Sequence, residues 1–336
     1  MMSASTTTIS RGISRGGVVG LSLLVAFLIA CPFLLPTYWT FIFGEILIMV
    51  LFAMSFNLLL GYSGLLSFGQ AGFFGVGAYA AALLILQGWH SLTLILLAGL
   101  GAAGLAALVI GYLCVRRDEI YFAMITLGFG MMLFTIAHNW IELTGGSDGL
   151  PLGELPALRL PGMEFSLFDP RVMYLFILFV VLCAIFFLWR LVRSPFGLIL
   201  TAVRENKERL AFVGADVRRV RLTAFTIAGA LAGLAGALFC LFNSMATPDF
   251  MHWSYSARPV LMTILGGSGV FLGPAFGAAV FFLLEQAITQ MTDNWMIFLG
   301  AILIPVVIFF PRGILGTLVF YWEQRRNGRV KSRREK

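Results

Sequence analysis

The sequence predicts an all-α fold, a polytopic transmembrane helical bundle of about eight to ten crossings with glycine-broken helices. Three observations carry this. Hydrophobic residues make up 60% of the chain and charged residues 12%, whereas an ordinary soluble domain carries about 25% charge. Apolar runs recur along the whole length, most of them near the roughly 20 residues a crossing needs. The charges sit in a few short segments between the runs, which describes one continuous bundle in lipid rather than two soluble domains.

Taken in order, residues 1–17 form a tail in which Arg11 and Arg15 precede an apolar run. That run is too long for a cleaved signal core and is expected to remain as the first span. The apolar runs cover 18–35, which is this first one, then 39–60, 64–87, 91–115, 120–138, 172–192, 220–243, 258–290 and 295–311. The 258–290 run is too long for one crossing and is broken by Gly266, Gly267, Gly269, Gly273 and Pro274. It therefore reads as a half-helix or short span followed by a full one. The expected layout is a permease-sized domain over 18–316, with a loop at 139–171, a polar loop at 193–219, and a basic tail at 317–336.

All the lysines and arginines except Arg159, Arg171 and Arg258 fall in the termini, the 116–119 turn, the 190–221 segment or at Arg312. By the positive-inside rule these segments are cytoplasmic, and 139–171 and 244–257 lie outside. Both termini are then inside, and the number of crossings is even. Ten crossings satisfy this if 258–311 crosses three times, and eight with re-entrant glycine-rich segments also fit. The net charge of +7 is thus a topological signal, not one for nucleic acid.

Several chemistries are unsupported. Cys31, Cys114, Cys183 and Cys240 are far apart without CxxC spacing, and His90, His138 and His252 are isolated, so neither a disulfide framework nor a metal site is indicated. A nucleotide-binding P-loop needs a lysine after a glycine-rich turn. Lys207, Lys331 and Lys336 are the only lysines, and none has that context. No cluster of nucleophiles or acid–base pairs suggests an enzyme.

Glycine is abundant, with 37 residues, and small-xxx-small pairs such as Gly229 with Gly233, Gly273 with Gly277 and Gly99 with Ala103 predict close helix packing. Two stretches echo each other: Leu60-Gly61-Tyr62-Ser63-Gly64 followed by Gly69, and Leu265-Gly266-Gly267-Ser268-Gly269 followed by Gly273. Transporters built from repeats carry interrupted helices beside the substrate path. The candidates for a gate or pathway are accordingly Gly61, Ser63, Gly64, Gly69, Gln70, Gly266, Gly267, Gly273 and Pro274. Glu45 and Glu285 are ionisable residues inside apolar runs, each near a predicted span end. They read either as carboxylates hydrogen-bonded between helices or as part of a substrate or proton path. The polar loop from Ser194-Pro195-Phe196-Gly197 to Gly214-Ala215-Asp216 predicts a short surface helix flanked by turns, either a partner-docking element or a solvated linker.

The stretch Asn57-Leu58-Leu59-Leu60-Gly61-Tyr62-Ser63-Gly64-Leu65-Leu66-Ser67-Phe68-Gly69-Gln70-Ala71, with Gly75, Gly77, Ala78 and Tyr79, resembles the signature of LivM-type permeases of branched-chain amino acid ABC importers. Ile120-Tyr121-Phe122-Ala123 with Thr126-Leu127 and Thr144 to Pro151, Ser194 to Gly197 with Arg204-Glu205-Asn206 and Gly214, and Leu265-Gly266-Gly267 to Gly273-Pro274 followed by Phe310-Pro311-Arg312-Gly313 agree with it. The resemblance departs at Gln70, where histidine is common, and at Asn206-Lys207-Glu208. It implies a heterodimer with a second related permease, two cytoplasmic ATPase subunits that bind ATP and Mg, and a periplasmic binding protein. It places the chain in the bacterial inner membrane without a cofactor of its own. It also makes 194–216 the coupling loop, with Arg204, Glu205 and Asn206 as polar contacts and Gly214 as the turn. Branched-chain amino acids, urea, amides and carboxylates are all carried by relatives. The rival expectation is an ion-coupled secondary transporter that depends on Glu45 or Glu285.

Overall fold

The computed structural model describes residues 15–116, 119–153, 155–156, 158–160, 163–292, 294–318 and 321. Most of the two predicted tails, 1–17 and 317–336, lies outside the described residues. The helices are α1 (Arg15–Leu34), α2 (Thr37–Asn57), α3 (Gln70–Leu86), α4 (Leu92–Cys114), α5 (Glu119–Asn139), the single turn α6 (Ile141–Thr144) and α7 (Pro170–Val192). They continue as α8 (Pro195–Glu205), α9 (Lys207–Phe212), α10 (Val217–Asn243), α11 (Trp253–Gly266), α12 (Gly273–Thr289) and α13 (Trp295–Phe309). A π-helical turn, Leu58–Ser63, extends α2.

Among the described residues six helices are long and apolar enough to cross a membrane, and Ser22–Leu34, Gln70–Leu86 and Gly273–Thr289 are shorter apolar ones. Apolar residues dominate all sides of these helices because lipid and neighbouring helices are equally apolar surroundings. Two helices form the centre: Thr37–Ser63 and Val217–Asn243 are 89% and 78% buried over their most apolar windows, against 17% for Ile297–Leu318 at the periphery.

The centre is held by glycine, as the small-residue spacing predicts. Gly77 of α3 backs onto the Gly233 backbone of α10, and Gly233 in turn faces Ala103 of α4. Gly229 meets Ala107, and Gly99 lies against Ala237. With no hydrophobic drive between helices in lipid, this backbone-level approach supplies the packing energy. Gly277 does the same for α12, resting on the Met262 carbonyl and on Gly266 of α11.

The 139–171 loop carries α6 and short strands. β1 (Leu150–Pro151) pairs antiparallel with β4 (Met245–Ala246), and β2 (Leu158–Leu160) with β3 (Met163–Phe165). The first pair ties the loop to the α10–α11 connection. The glycine-broken segment around 61–69 takes a definite form: Gly64 adopts a left-handed conformation (φ 73°) and ends the π turn, so α3 starts only at Gln70. One expectation needs correction. The segment 194–216 holds two short helices rather than one, since Asn206 is extended and caps α9 with its side chain.

Candidate functional site

The first helix break, 64–69, runs back into the bundle. The Phe68 amide donates to Thr126 Oγ1 (3.3 Å) instead of to a helical carbonyl, and the Gln70 side-chain amide donates to the Ala228 carbonyl of α10 (3.1 Å). Ala228 lies eleven positions into Val217–Asn243, or about 16 Å at 1.5 Å per residue, so α3 begins deep in the protein. The Ala71 amide donates to Ser256 Oγ at 2.9 Å, which places the first turns of α3 and α11 side by side at that depth. These are interrupted helices of the kind that flank transport paths.

The second break joins α11 to α12. Gly267 has φ 103° and packs against the Arg312 carbonyl, while Pro274 occupies the first turn of α12, where its missing N–H costs nothing. The two breaks meet. A Cβ added at Gly61 would come within 2.7 Å of the Ser268 carbonyl oxygen and 2.8 Å of Asn57 Cγ. The two echoing glycine stretches of the sequence are therefore in contact. Asn57, Ser63, Ser67 and Gln70 are all buried to at least 98%. Their Asn57 Oδ1, Ser63 Oγ, Ser67 Oγ and Gln70 Oε1 atoms have no hydrogen-bond partner. Buried polar groups are normally satisfied, so these four oxygens set the 57–70 segment apart from the apolar helices around it.

A charged cluster lies further along. Arg258 of α11 pairs with Glu285 of α12 at 2.8 Å, with side-chain exposures of 24% and 12%. The Arg258 guanidinium sits 4.8 Å from the Tyr255 ring centre. Glu45 is the ninth residue of α2, and Glu285 lies four residues before the end of α12. Arg258, which the sorting of basic residues left unassigned, supplies the partner of Glu285. The signal for Arg258 was its position at the start of an apolar run, where a lone arginine calls for a carboxylate partner.

The polar segment is anchored to the first break. Leu200 and Val203 bury one side of α8. The Arg204 guanidinium donates to the Gly61 carbonyl, and its aliphatic stem rests against Gly64. Arg204 is thereby tied to the first break while its side chain stays exposed at the surface of α8. Glu205 and Asn206 line an outer cleft with Ala202, Arg209, Leu210 and Val213. Asn206 Oδ1 accepts from the Arg209 amide and Asp216 Oδ1 from the Arg219 amide, and Gly214 turns the chain with φ 88°. Sequence reading missed Phe212 and Val213, 91% and 84% exposed at the tip of α9. The available signal was the apolar run Leu210-Ala211-Phe212-Val213 directly after the charged Lys207-Glu208-Arg209.

Residues 38–307 match the family model described as branched-chain amino acid transport system, permease component. The high-affinity branched-chain amino acid transport system permease protein LivM of Escherichia coli is 31% identical over 314 residues, covering 87% of this chain and 73% of that protein. The probable branched-chain amino acid transport permease protein LivH of Methanocaldococcus jannaschii is 28% identical, with 72% of this chain and 77% of that protein covered. The autoinducer 2 import system permease protein LsrC of Yersinia pestis is 29% identical over 64% of this chain and 63% of that protein. No solved structure matches.

Proposed function

We propose, from the premise that this chain belongs to the family of permease components of branched-chain amino acid transport systems, that it forms part of an ATP-driven importer for branched-chain amino acids or a related small nutrient. It is a multi-pass membrane protein. Its expected setting is a bacterial inner membrane with both termini cytoplasmic, which follows from the distribution of basic residues. The partners are a second related permease, two ATPase subunits that hold ATP and Mg, and a periplasmic binding protein.

The observation that supports this reading best is the bond from Arg204 to the Gly61 carbonyl. It links the segment at 194–216 directly to the first helix break and, through Gly61, to the second. A push on α8 and α9 from an ATPase is thereby transmitted to irregular backbone of the kind in which unwound helices line a path. Phe212, Val213 and the cleft at Glu205 and Asn206 form the outward contact, and Arg204 forms the contact with the first break. The coupling assignment is tested by Glu205→Ala and Gly214→Val in the reconstituted importer, each expected to uncouple uptake from hydrolysis while the chain stays inserted. Normal ligand-stimulated ATPase activity and uptake in both variants would refute it. The charged cluster favours one alternative, an ion-coupled secondary transporter. That alternative requires uptake by this chain alone in an ion gradient.

A further inference from the structure

We propose that the exposed face of α7 is a site for one anionic phospholipid, its headgroup held by Arg190 and Arg193 and its acyl chains lying against Phe179, Phe186 and Phe187. This goes beyond the importer reading and requires only that the chain spans a membrane. Beyond the first turn, the residues exposed on α7 and its C-cap are Phe179, Cys183, Phe186, Phe187, Arg190 and Arg193. At 3.6 residues per turn they share one sector about 120° wide. The other side of the helix packs on α2 and α1.

The stripe changes chemistry along its length. Phe179, Phe186 and Phe187 are 68%, 61% and 49% exposed and form its apolar part. Phe179 and Arg190 are eleven positions apart, or about 16 Å at 1.5 Å per residue. One leaflet contributes about 15 Å of hydrocarbon, half of the core. The two arginines therefore reach headgroup level while the phenylalanines lie among acyl chains. In the orientation expected from the basic residues this is the cytoplasmic leaflet.

The headgroup end suits an anion. The Arg193 guanidinium lies 4.4 Å from the Trp189 ring centre, and Trp189 stacks on Phe186 at 6.0 Å and 26°. Cation–π attraction holds the guanidinium at the end of this aromatic column. Ion pairs among the described residues join Arg219 to Asp216 and Arg258 to Glu285, and neither Arg190 nor Arg193 has a carboxylate partner there. Two open guanidiniums beside an apolar face complement a phosphate, whose oxygens accept their paired N–H donors. Complementation of the helix dipole accounts for basic residues in a last turn, but not for the aromatic column beneath them.

The test uses Trp189 as the reporter. The full chain, with the subunits that co-purify with it, is reconstituted in phosphatidylcholine vesicles containing a minor share of chain-brominated lipid, either phosphatidylglycerol or phosphatidylcholine. The Trp189 signal is the difference in emission between wild type and Trp189→Phe. Brominated phosphatidylglycerol is expected to quench it at about a thirtyfold lower mole fraction than brominated phosphatidylcholine, about fivefold for each arginine. Combining Arg190→Gln with Arg193→Gln is expected to abolish the preference, and its persistence in that variant overturns the proposal. If the double variant fails to insert, salt decides on the wild type. The preference is expected to fall several-fold from low to high ionic strength, and an unchanged preference overturns the proposal. Equal quenching by both lipids makes α7 an ordinary lipid-facing helix and overturns it too. So does the absence of quenching by either, which means that a protein subunit covers this face.

Discussion

Replacing Gly77 with alanine tests the packing at the centre of the bundle. A methyl group there would lie 2.5 Å from the Gly233 carbonyl carbon, where ordinary contact begins at 3.4 Å. The α3 and α10 backbones must therefore separate by at least 0.9 Å, the difference of those two distances. Backbone cannot swing aside as a side chain does, so the cost belongs at the top of the overpacking range, about 3 kcal/mol. The helix gains about 1 kcal/mol on exchanging glycine for alanine, leaving a net loss of about 2 kcal/mol. Gly101 of α4 is the control, because a Cβ there meets nothing within 4 Å. Gly101→Ala should be neutral or stabilising by up to about 1 kcal/mol. The assay is thermal unfolding of the full chain in detergent, read by size-exclusion recovery after heating. Equal recovery of the two variants would refute the claim that α3 and α10 meet through backbone.

Other variants probe the charged and coupling elements. Arg258→Ala leaves Glu285 without its partner and is expected to cost about 3–5 kcal/mol, read as reduced yield of inserted chain. Replacing both Arg258 and Glu285 by methionine should recover that yield, since an apolar pair of similar volume is often no less stable; failure to recover would contradict the pairing. Arg204→Ala removes the bond to the Gly61 carbonyl and should lower ATP-driven uptake about tenfold with unchanged yield, Arg204→Lys being intermediate because one charged donor is retained. Gly214→Val forces a β-branched residue into a left-handed turn at about 1–2 kcal/mol, and proteolysis of the 206–216 segment should quicken accordingly. Phe212→Asp should weaken co-purification of the ATPase subunits without lowering insertion, and unchanged co-purification would remove Phe212 from that contact.

Much of the bundle was legible because lipid imposes a simple demand, that each span be apolar and about 20 residues long. The small-residue pairs around Gly99, Gly229 and Gly233 were readable for the same reason, since close approach in lipid requires them. The interruption near Gly64 was readable from its glycines, but the start of α3 at Gln70 was not. Besides the left-handed turn at Gly64, the hydrogen bonds of Phe68 and Gln70 to Thr126 and Ala228 hold the segment in another shape. Those partners lie 58 and 158 positions away, beyond any local pattern. The contact between the two glycine stretches was suggested by their similarity, but its geometry depends on Gly61 admitting the Ser268 carbonyl. Arg258 was left unassigned by the sorting of basic residues, and its partner Glu285 lies 27 positions away. The bond from Arg204 to Gly61 was equally hidden, because the two residues lie 143 positions apart.

The most direct test of the account is uptake by the purified complex. The chain is isolated gently from its native membrane with whatever co-purifies, reconstituted with the binding protein, and supplied with radiolabelled leucine, with and without ATP on the ATPase side. Accumulation that requires ATP, together with co-purifying ATPase subunits, is the expected result. Accumulation by this chain alone, driven by an ion gradient and indifferent to ATP, would contradict it.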